Sequence, residues 1–368
     1  MQKKHITFVI YIFLFQLIFI GAYYYAFKYQ LGTHIKNMSW VRSVYVIKDN
    51  HAASIKGKKI IIAAGSNALF GIDSKLLEDI TGLKVTNLAC HASFNLDFLY
   101  YKIKEHIGEG DVVVLPLEFA HYYQEMTDLF IDNMIEWGQN EYLAQLSPND
   151  LISFIRKVSP SRIAEGILQE EKSKYPTDQE IVKQLNLLLQ VDGQKWRGYR
   201  FKSLNNYGDM LVGEKPTKTL LEKKTKGIDY LNVNKPIIDS FFNEYRKILS
   251  LTKKYNSVLI LTWPVTIRNK YFDLTKIRYQ KNIKKFKKLL ADKNISIECN
   301  PALFNLDINC FFDTKYHLNK IGARIRTENL GTCLNAILNN GSCDITFKEA
   351  ASVVAKKELS YLPSNNRK

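Results

Sequence analysis

The sequence predicts an α/β protein built on a parallel sheet, and three observations carry that expectation. Residues 60–62 and 112–119 are short continuous apolar runs, as in strands buried on both faces, and residues 257–262 read as another strand. Helix-like periodicity lies between such runs, as in the segments starting at Ser74 and Leu96. The linkers are tight, Thr81-Gly82 and Gly108-Glu109-Gly110-Asp111 among them, which fits right-handed βαβ units. With residues 83–88 and 295–298 read as two further strands, the expected sheet has five parallel strands.

Taken in order, the chain opens on an apolar run. Residues 6–27 carry no charge, and roughly 20 apolar residues cross a bilayer. Gln2-Lys3-Lys4-His5 precedes the run, and Tyr23, Tyr24 and Tyr25 suit an interfacial aromatic belt. A cleaved signal peptide is the rival, but the run is too long and no small-x-small site follows it. Residues 1–28 are therefore read as an uncleaved single-pass anchor. The positive-inside tally is nearly even, with Lys28, Lys36 and Arg42 after the span. The short amino tail favours an N-terminus in the cytoplasm and the remaining chain outside it.

Residues 29–57 read as a connector, 58–338 as the α/β domain and 339–368 as a peripheral tail. Between the third and fourth strands, residues of about 120–236 switch to helices and loops. This is an insertion, read as a lid or substrate platform. After it come a helix over 237–255, the fourth strand ending in Trp263-Pro264, a lysine-rich helix, the fifth strand and a last helix through Gly322, Arg324 and Leu330. Trp263 is either a wall of the site or a simple strand terminator.

Among 368 residues 46% are hydrophobic and 24% charged, a globular balance, and the formal charge of +16 favours anionic partners such as phospholipid head groups, acidic glycans or nucleic acid. The densest basic run, 281–290, reads as an amphipathic helix with a solvated lysine face. Neither zinc-finger spacing nor an RNA-binding aromatic signature accompanies it, so nucleic acid is disfavoured. Five cysteines suit an oxidising compartment: Cys299 with Cys310 and Cys333 with Cys343 bracket a loop and a helix end, which leaves Cys90 over. Their spacing fits no common zinc site, and no metal or cofactor is expected.

Gly65-Ser66-Asn67 follows the first strand as a small-residue turn, where open α/β sheets place their sites. A serine there stands clear of the sheet beside backbone N–H groups, a workable nucleophile; Gly-Ser-Asn is also ordinary turn chemistry. A hydroxyl nucleophile needs a base and the base an orienting group. Asp313-Thr314-Lys315-Tyr316-His317 supplies both at the mouth of a helix, unless Asp313 is merely that helix's N-cap. Glu118, His91 and His121 stand at neighbouring strand ends: Glu118 to pair structurally, bind substrate hydroxyls or orient His91, and the histidines as further site candidates. Cys90 is a rival nucleophile without a neighbour to lower its pKa.

Gly65-Ser66-Asn67 near the start, with Asp313 and His317 in Asp313-Thr314-Lys315-Tyr316-His317-Leu318-Asn319 near the end, resembles the SGNH/GDSL hydrolase superfamily. It is most similar to that superfamily's membrane-anchored extracytoplasmic branch, the acyl-transfer proteins of alginate acetylation and teichoic-acid D-alanylation. The likeness covers residues of about 58–120 and 237–335. It implies a flavodoxin-like three-layer sandwich, with Ser66 attacking an acyl carbonyl, His317 moving the proton and Asp313 orienting His317. It also implies a cell-surface glycan as acyl acceptor and a multi-span acyltransferase as partner. Hydrolysis and transfer are both open, and so is an inactive relative that binds glycan.

The middle blocks depart from the superfamily pattern. Asn87-Leu88-Ala89-Cys90-His91-Ala92-Ser93 lacks the donating glycine, and Pro116-Leu117-Glu118 stands where a Gly-x-Asn-Asp is usual. Three residues rather than two separate Asp313 from His317. The oxyanion donors therefore fall to the Ser66 N–H, then to Asn67 or the backbone of His91 to Ser93.

Overall fold

The structure is a computed structural model and describes residues 2–33, 40–125, 127–137, 140–168, 176–191, 195–223 and 228–362. The chain forms two compact units, Met1–Ser39 with Met126–Pro176 and Trp40–Glu125 with Thr177–Lys368. The first opens with helix α1 (Gln2–Gln30). Its His5–Gln30 stretch, with a mean hydropathy of 2.2 over its most apolar 18 residues and none of those buried, is long and apolar enough to cross a membrane.

The second unit begins with α2 (Trp40–Ser54), inside the segment expected to be a connector. Val41, Val44, Tyr45 and Ile47 are buried on one face of it, so this helix is part of the α/β body. Strand β1 (Lys59–Ile62) follows, then the single turn α3 (Ser66–Leu69) and α4 (Ser74–Thr81), capped by the Asp73 carboxylate. Next come β2 (Lys84–Asn87), α5 (Leu96–His106) with Asn95 as its cap, and β3 (Val112–Pro116).

The insertion divides between the units. Helices α6 (Asp128–Trp137), α7 (Asn140–Gln145), α8 (Pro148–Lys157) and α9 (Pro160–Leu168) join α1. Phe154 meets Phe27 edge-on at 6.2 Å, the Tyr23 hydroxyl donates to the Val158 carbonyl at 2.6 Å, and Arg162 donates to Gln30 Oε1 at 3.1 Å. Helix α10 (Asp178–Val191) instead packs on α2 in the second unit, which continues with α11 (Lys218–Lys223) and α12 (Asp239–Lys254).

Strand β4 (Val258–Thr262) completes the main sheet. Thereafter come β5 (Thr266–Ile267), α13 (Ile277–Ala291), β6 (Asn305–Leu306), α14 (Lys320–Asn340) and α15 (Phe347–Tyr361). The order is β2-β1-β3-β4, every neighbour parallel, with Ile60 opposite Val85 and Val112. Helices α4 and α14 pack together, as do α5 and α12, and β1 and β3 are buried throughout. The lysines of α13 are exposed while Tyr279, Ile283, Phe286 and Leu290 are buried, as its periodicity predicts.

The sheet has four strands, not five. Residues 295–298 run beside β4, but only the Glu298 N–H bonds its backbone, to the Leu261 carbonyl at 2.8 Å. Left-handed residues bracket the segment, Asn294 at φ 58° and Cys299 at φ 64°, and bend the chain away before a ladder can form. β5 and β6 form a separate parallel pair.

Within the segment past Asn339, expected to be peripheral, Phe347–Tyr361 forms a helix docked on the body. Thr346 and Glu349 make a capping box at the start of α15, Ala350 and Val354 are buried, and Glu358 pairs with Arg268 at 2.5 Å. The cysteine pairing also differs from both candidates: Cys299 bonds Cys333, with Cα atoms 6.0 Å apart, and Cys90, Cys310 and Cys343 are free. This bond closes a separation of 34 residues. Its reduction is expected to cost about 2–4 kcal/mol, read as a lower urea midpoint in dithiothreitol.

Candidate active site

The order 2-1-3-4 reverses direction between β1 and β3, and the carboxyl ends of strands at such a point form a crevice. The turn after β1 carries Ser66, and the turn after β3 carries Glu118. Glu118 is 0% exposed and lies beneath the serine turn. Its carboxylate accepts the Gly65 N–H at 3.1 Å and the Asn67 N–H at 2.9 Å. A Cβ at Gly65 would stand 2.5 and 2.7 Å from the two Glu118 oxygens and 2.8 Å from Ala92 Cα. Glycine at 65 is what lets the carboxylate and the residue 92 backbone approach so closely.

Arg326, from α14, holds the same turn from another side. Its guanidinium donates to the Asn67 carbonyl at 2.5 Å and to Asn67 Oδ1 at 2.6 Å, while Asn67 Nδ2 donates to the Pro116 carbonyl. Burial pushes the Arg326 guanidinium down to about 9, and Glu118 pulls against that shift. Asn67 is thus a strut of the turn. Its backbone N–H and its side chain are committed to neighbours, so the oxyanion role expected of it passes elsewhere.

Ser66 is left free by this bracing. It is 9% exposed, and neither its Oγ nor its N–H has a hydrogen-bond partner among the described residues. Glu118 is structural, as is His121, whose Nδ1 lies 3.4 Å from a Glu118 oxygen and whose Nε2 faces the Phe94 carbonyl at 3.1 Å. Exchange of Glu118 for Gln would set an amide N–H against one of the turn's own N–H donors. Glu118→Gln is expected to cost about 2 kcal/mol, measured by thermal unfolding.

The base comes from a tight turn before α14. Thr314 Oγ1 accepts the N–H groups of Tyr316 and His317, and Phe311 bridges Leu318 across the turn. The N-cap of α14 is Asn319, which accepts the Gly322 N–H at 2.9 Å. Asp313 is therefore not spent on the cap, and its Oδ1 lies 2.8 Å from His317 Nδ1. Burial pushes the Asp313 carboxyl up, but hydrogen bonds from His317 and Tyr199 outweigh it and hold it below its ordinary value.

Tyr199 is the member the sequence reading missed. Its hydroxyl donates to Asp313 Oδ2 and lies 3.2 Å from His317 Nδ1. It comes from the insertion, 114 residues before Asp313, where no local pattern marks it. The only signal is the aromatic density of Trp196-Arg197-Gly198-Tyr199-Arg200-Phe201 in an otherwise polar loop.

Phe70 joins the two halves. Its N–H donates to the Ser66 carbonyl at 3.0 Å, and its ring stacks on His317 with centroids 4.0 Å apart and planes 6° from parallel. The imidazole is thereby packed on the residue that closes the helical turn Ser66 opens. His317 Nε2 has no hydrogen-bond partner among the described residues, so the edge that could take a proton is open.

The loop after β2 carries His91, which feels the charges of Glu118 and His317. His91 Nδ1 accepts the Ser93 N–H at 3.1 Å and meets Ser93 Oγ at 2.8 Å. An acceptor Nδ1 puts the ring proton of the neutral imidazole on Nε2. Burial lowers the His91 pKa, Glu118 opposes and His317 adds to the lowering. Below the ordinary His value of about 6.5 the unfolded chain thus binds the proton first, so His91 costs stability as pH falls from there. Ser93 is a tautomer-setting partner of His91.

Two other candidates leave the site. Burial pushes the Cys90 thiol up to about 12 although Lys48 opposes, so it is no nucleophile at neutral pH. Alkylation of the native protein with iodoacetamide is expected at the half-buried Cys343 well before the buried Cys90 and Cys310. Trp263 is 1% exposed and donates to the Cys299 carbonyl at 3.0 Å, a core residue and no wall.

No protein-family profile matches the chain, and no curated protein matches its sequence.

Proposed function

We propose that this chain is a membrane-anchored protein that carries out acyl-ester chemistry on a glycan outside the cytoplasm, in the manner of the SGNH/GDSL branch it resembles. Ser66 attacks the acyl carbonyl. His317 takes the hydroxyl proton through Nε2 and returns it to the leaving group. Asp313 and Tyr199 hold the ring by its Nδ1 side, and the carboxylate stabilises the imidazolium formed in between. The Ser66 N–H and the His91 Nε2–H stabilise the oxyanion, in place of the superfamily's glycine and asparagine.

The observation that carries the reading is the stack of His317 on Phe70. It packs an aspartate-bound imidazole on Phe70, the residue that closes the turn an unpartnered serine opens, and so supports the pairing of the two. The strand order 2-1-3-4 supports it, being that of a flavodoxin-type sheet without its fifth strand. The apolar α1 supports the anchor. Transfer of the acyl group to a sugar hydroxyl and its hydrolysis by water differ only in the acceptor, and a multi-span acyltransferase is the expected supplier of acyl groups.

A second reading, a glycan-binding relative without chemistry, is favoured by one observation. Glu118 occupies the Gly65 and Asn67 N–H groups on both sides of Ser66, which narrows the oxyanion site. Turnover of 4-nitrophenyl acetate by the full-length protein in detergent separates the two. The catalytic reading expects turnover that depends on Ser66, and the binding reading expects none above buffer.

A further inference from the structure

Beside the candidate active site the second unit contains a groove of about 830 Å³, within the range of ligand sites at about 300–1,000 Å³. Phe70 forms part of its wall while its ring stacks on His317, so groove and imidazole share one side chain. Trp196 extends that wall. It packs on Tyr199 at 5.4 Å, Phe70 at 6.2 Å and Phe312 at 5.1 Å, and it is half-buried.

The rest of the lining alternates apolar and hydrogen-bonding groups. Leu76, Leu211 and Val212 lie with Asn205, Asn206 and Tyr207. Charge is what sets the groove apart from the rest of the molecule. Four carboxylates face three lysines there, in a chain whose formal charge is +16. Asp79 pairs with Lys75, and Glu214 lies 3.8 Å from Lys320. A polyanion would find no excess of positive charge in this groove, although the wider chain offers plenty.

We infer that the groove binds a neutral, hydroxyl-rich oligosaccharide, the acceptor chain of the proposed acyl chemistry. In that use it rests on the reading above. The aromatic wall takes the apolar face of a sugar ring, while carboxylates and amides accept and donate to its hydroxyls. Phe70 then sets the bound chain beside His317.

The test is calorimetric titration of the full-length Ser66→Ala protein in detergent, which cannot turn an ester over. The probes are cellohexaose, maltohexaose and chitohexaose, with hexagalacturonate as the polyanion. At least one neutral hexamer is expected to bind saturably. Trp196→Ala is expected to weaken it about tenfold, equivalent to about 1.4 kcal/mol. Asp79→Ala, at an exposed position, is expected to weaken it severalfold without disturbing the fold. Binding of hexagalacturonate alone, binding of no probe, or affinities indifferent to both substitutions overturns the inference. Serine labelling of the parent protein by a fluorophosphonate keeps the two proposals apart. Hexamer binding without labelling retains the groove and removes the chemistry, and labelling without hexamer binding does the reverse.

Discussion

Replacing Ser66 with alanine is expected to lower turnover of 4-nitrophenyl acetate by about 10⁴- to 10⁶-fold, with the thermal transition unchanged. The size follows from the role: without the hydroxyl no acyl-enzyme forms, and only binding and oxyanion donors remain to assist water. The unchanged transition follows from the structure, because the turn is held by other groups. Glu118 takes the flanking N–H groups, Arg326 takes the Asn67 carbonyl, and the Ser66 hydroxyl bonds nothing among the described residues. A serine kept for turn chemistry would behave oppositely, with stability lost and the background rate untouched.

Asp313→Asn is expected to reduce the same turnover by about 10³- to 10⁴-fold. The carboxylate accepts from His317 Nδ1 at 2.8 Å and from the Tyr199 hydroxyl. An amide turned to present its NH₂ favours the tautomer with the proton on Nε2, which cannot take a proton from serine. The pH dependence has a definite sign. Asp313 is held below its ordinary value of about 3.9, so its contribution is fully present above that value. It is lost only as pH falls through the lowered folded value. An acid limb of kcat/KM well above about pH 4 must then come from a group other than Asp313.

The sheet was legible because burial on both faces leaves a composition signature: Ile60–Ile62 of β1 and Val112–Val114 of β3 are β-branched runs. The fifth strand was misread for the same reason. Ile295 and Ile297 look like a strand, but pairing is decided by backbone angles at Asn294 and Cys299 that composition does not encode. The connector hid α2, since Trp40, Tyr45 and Lys48 blur its periodicity, and the buried Lys48 makes sense only once its acceptors at Asn87 and Gly208 are seen.

In the site, Ser66 and the Asp313–His317 pair were readable because each sits in a local pattern. Arg326 was not, although one trace of it existed. It falls on the buried stripe of α14, four residues from both Gly322 and Leu330. A lone charge on such a stripe needs a buried partner, here the Asn67 carbonyl. Tyr199 reaches the pair across 114 residues of chain, and sequence periodicity carries no information over that span.

The most direct measurement is mass spectrometry of the full-length protein in detergent after reaction with a fluorophosphonate. The account expects a single adduct on the peptide carrying Ser66, with a labelling rate that collapses in His317→Ala while the fold persists. Labelling at another serine, or labelling of Ser66 at the same rate without His317, would contradict it.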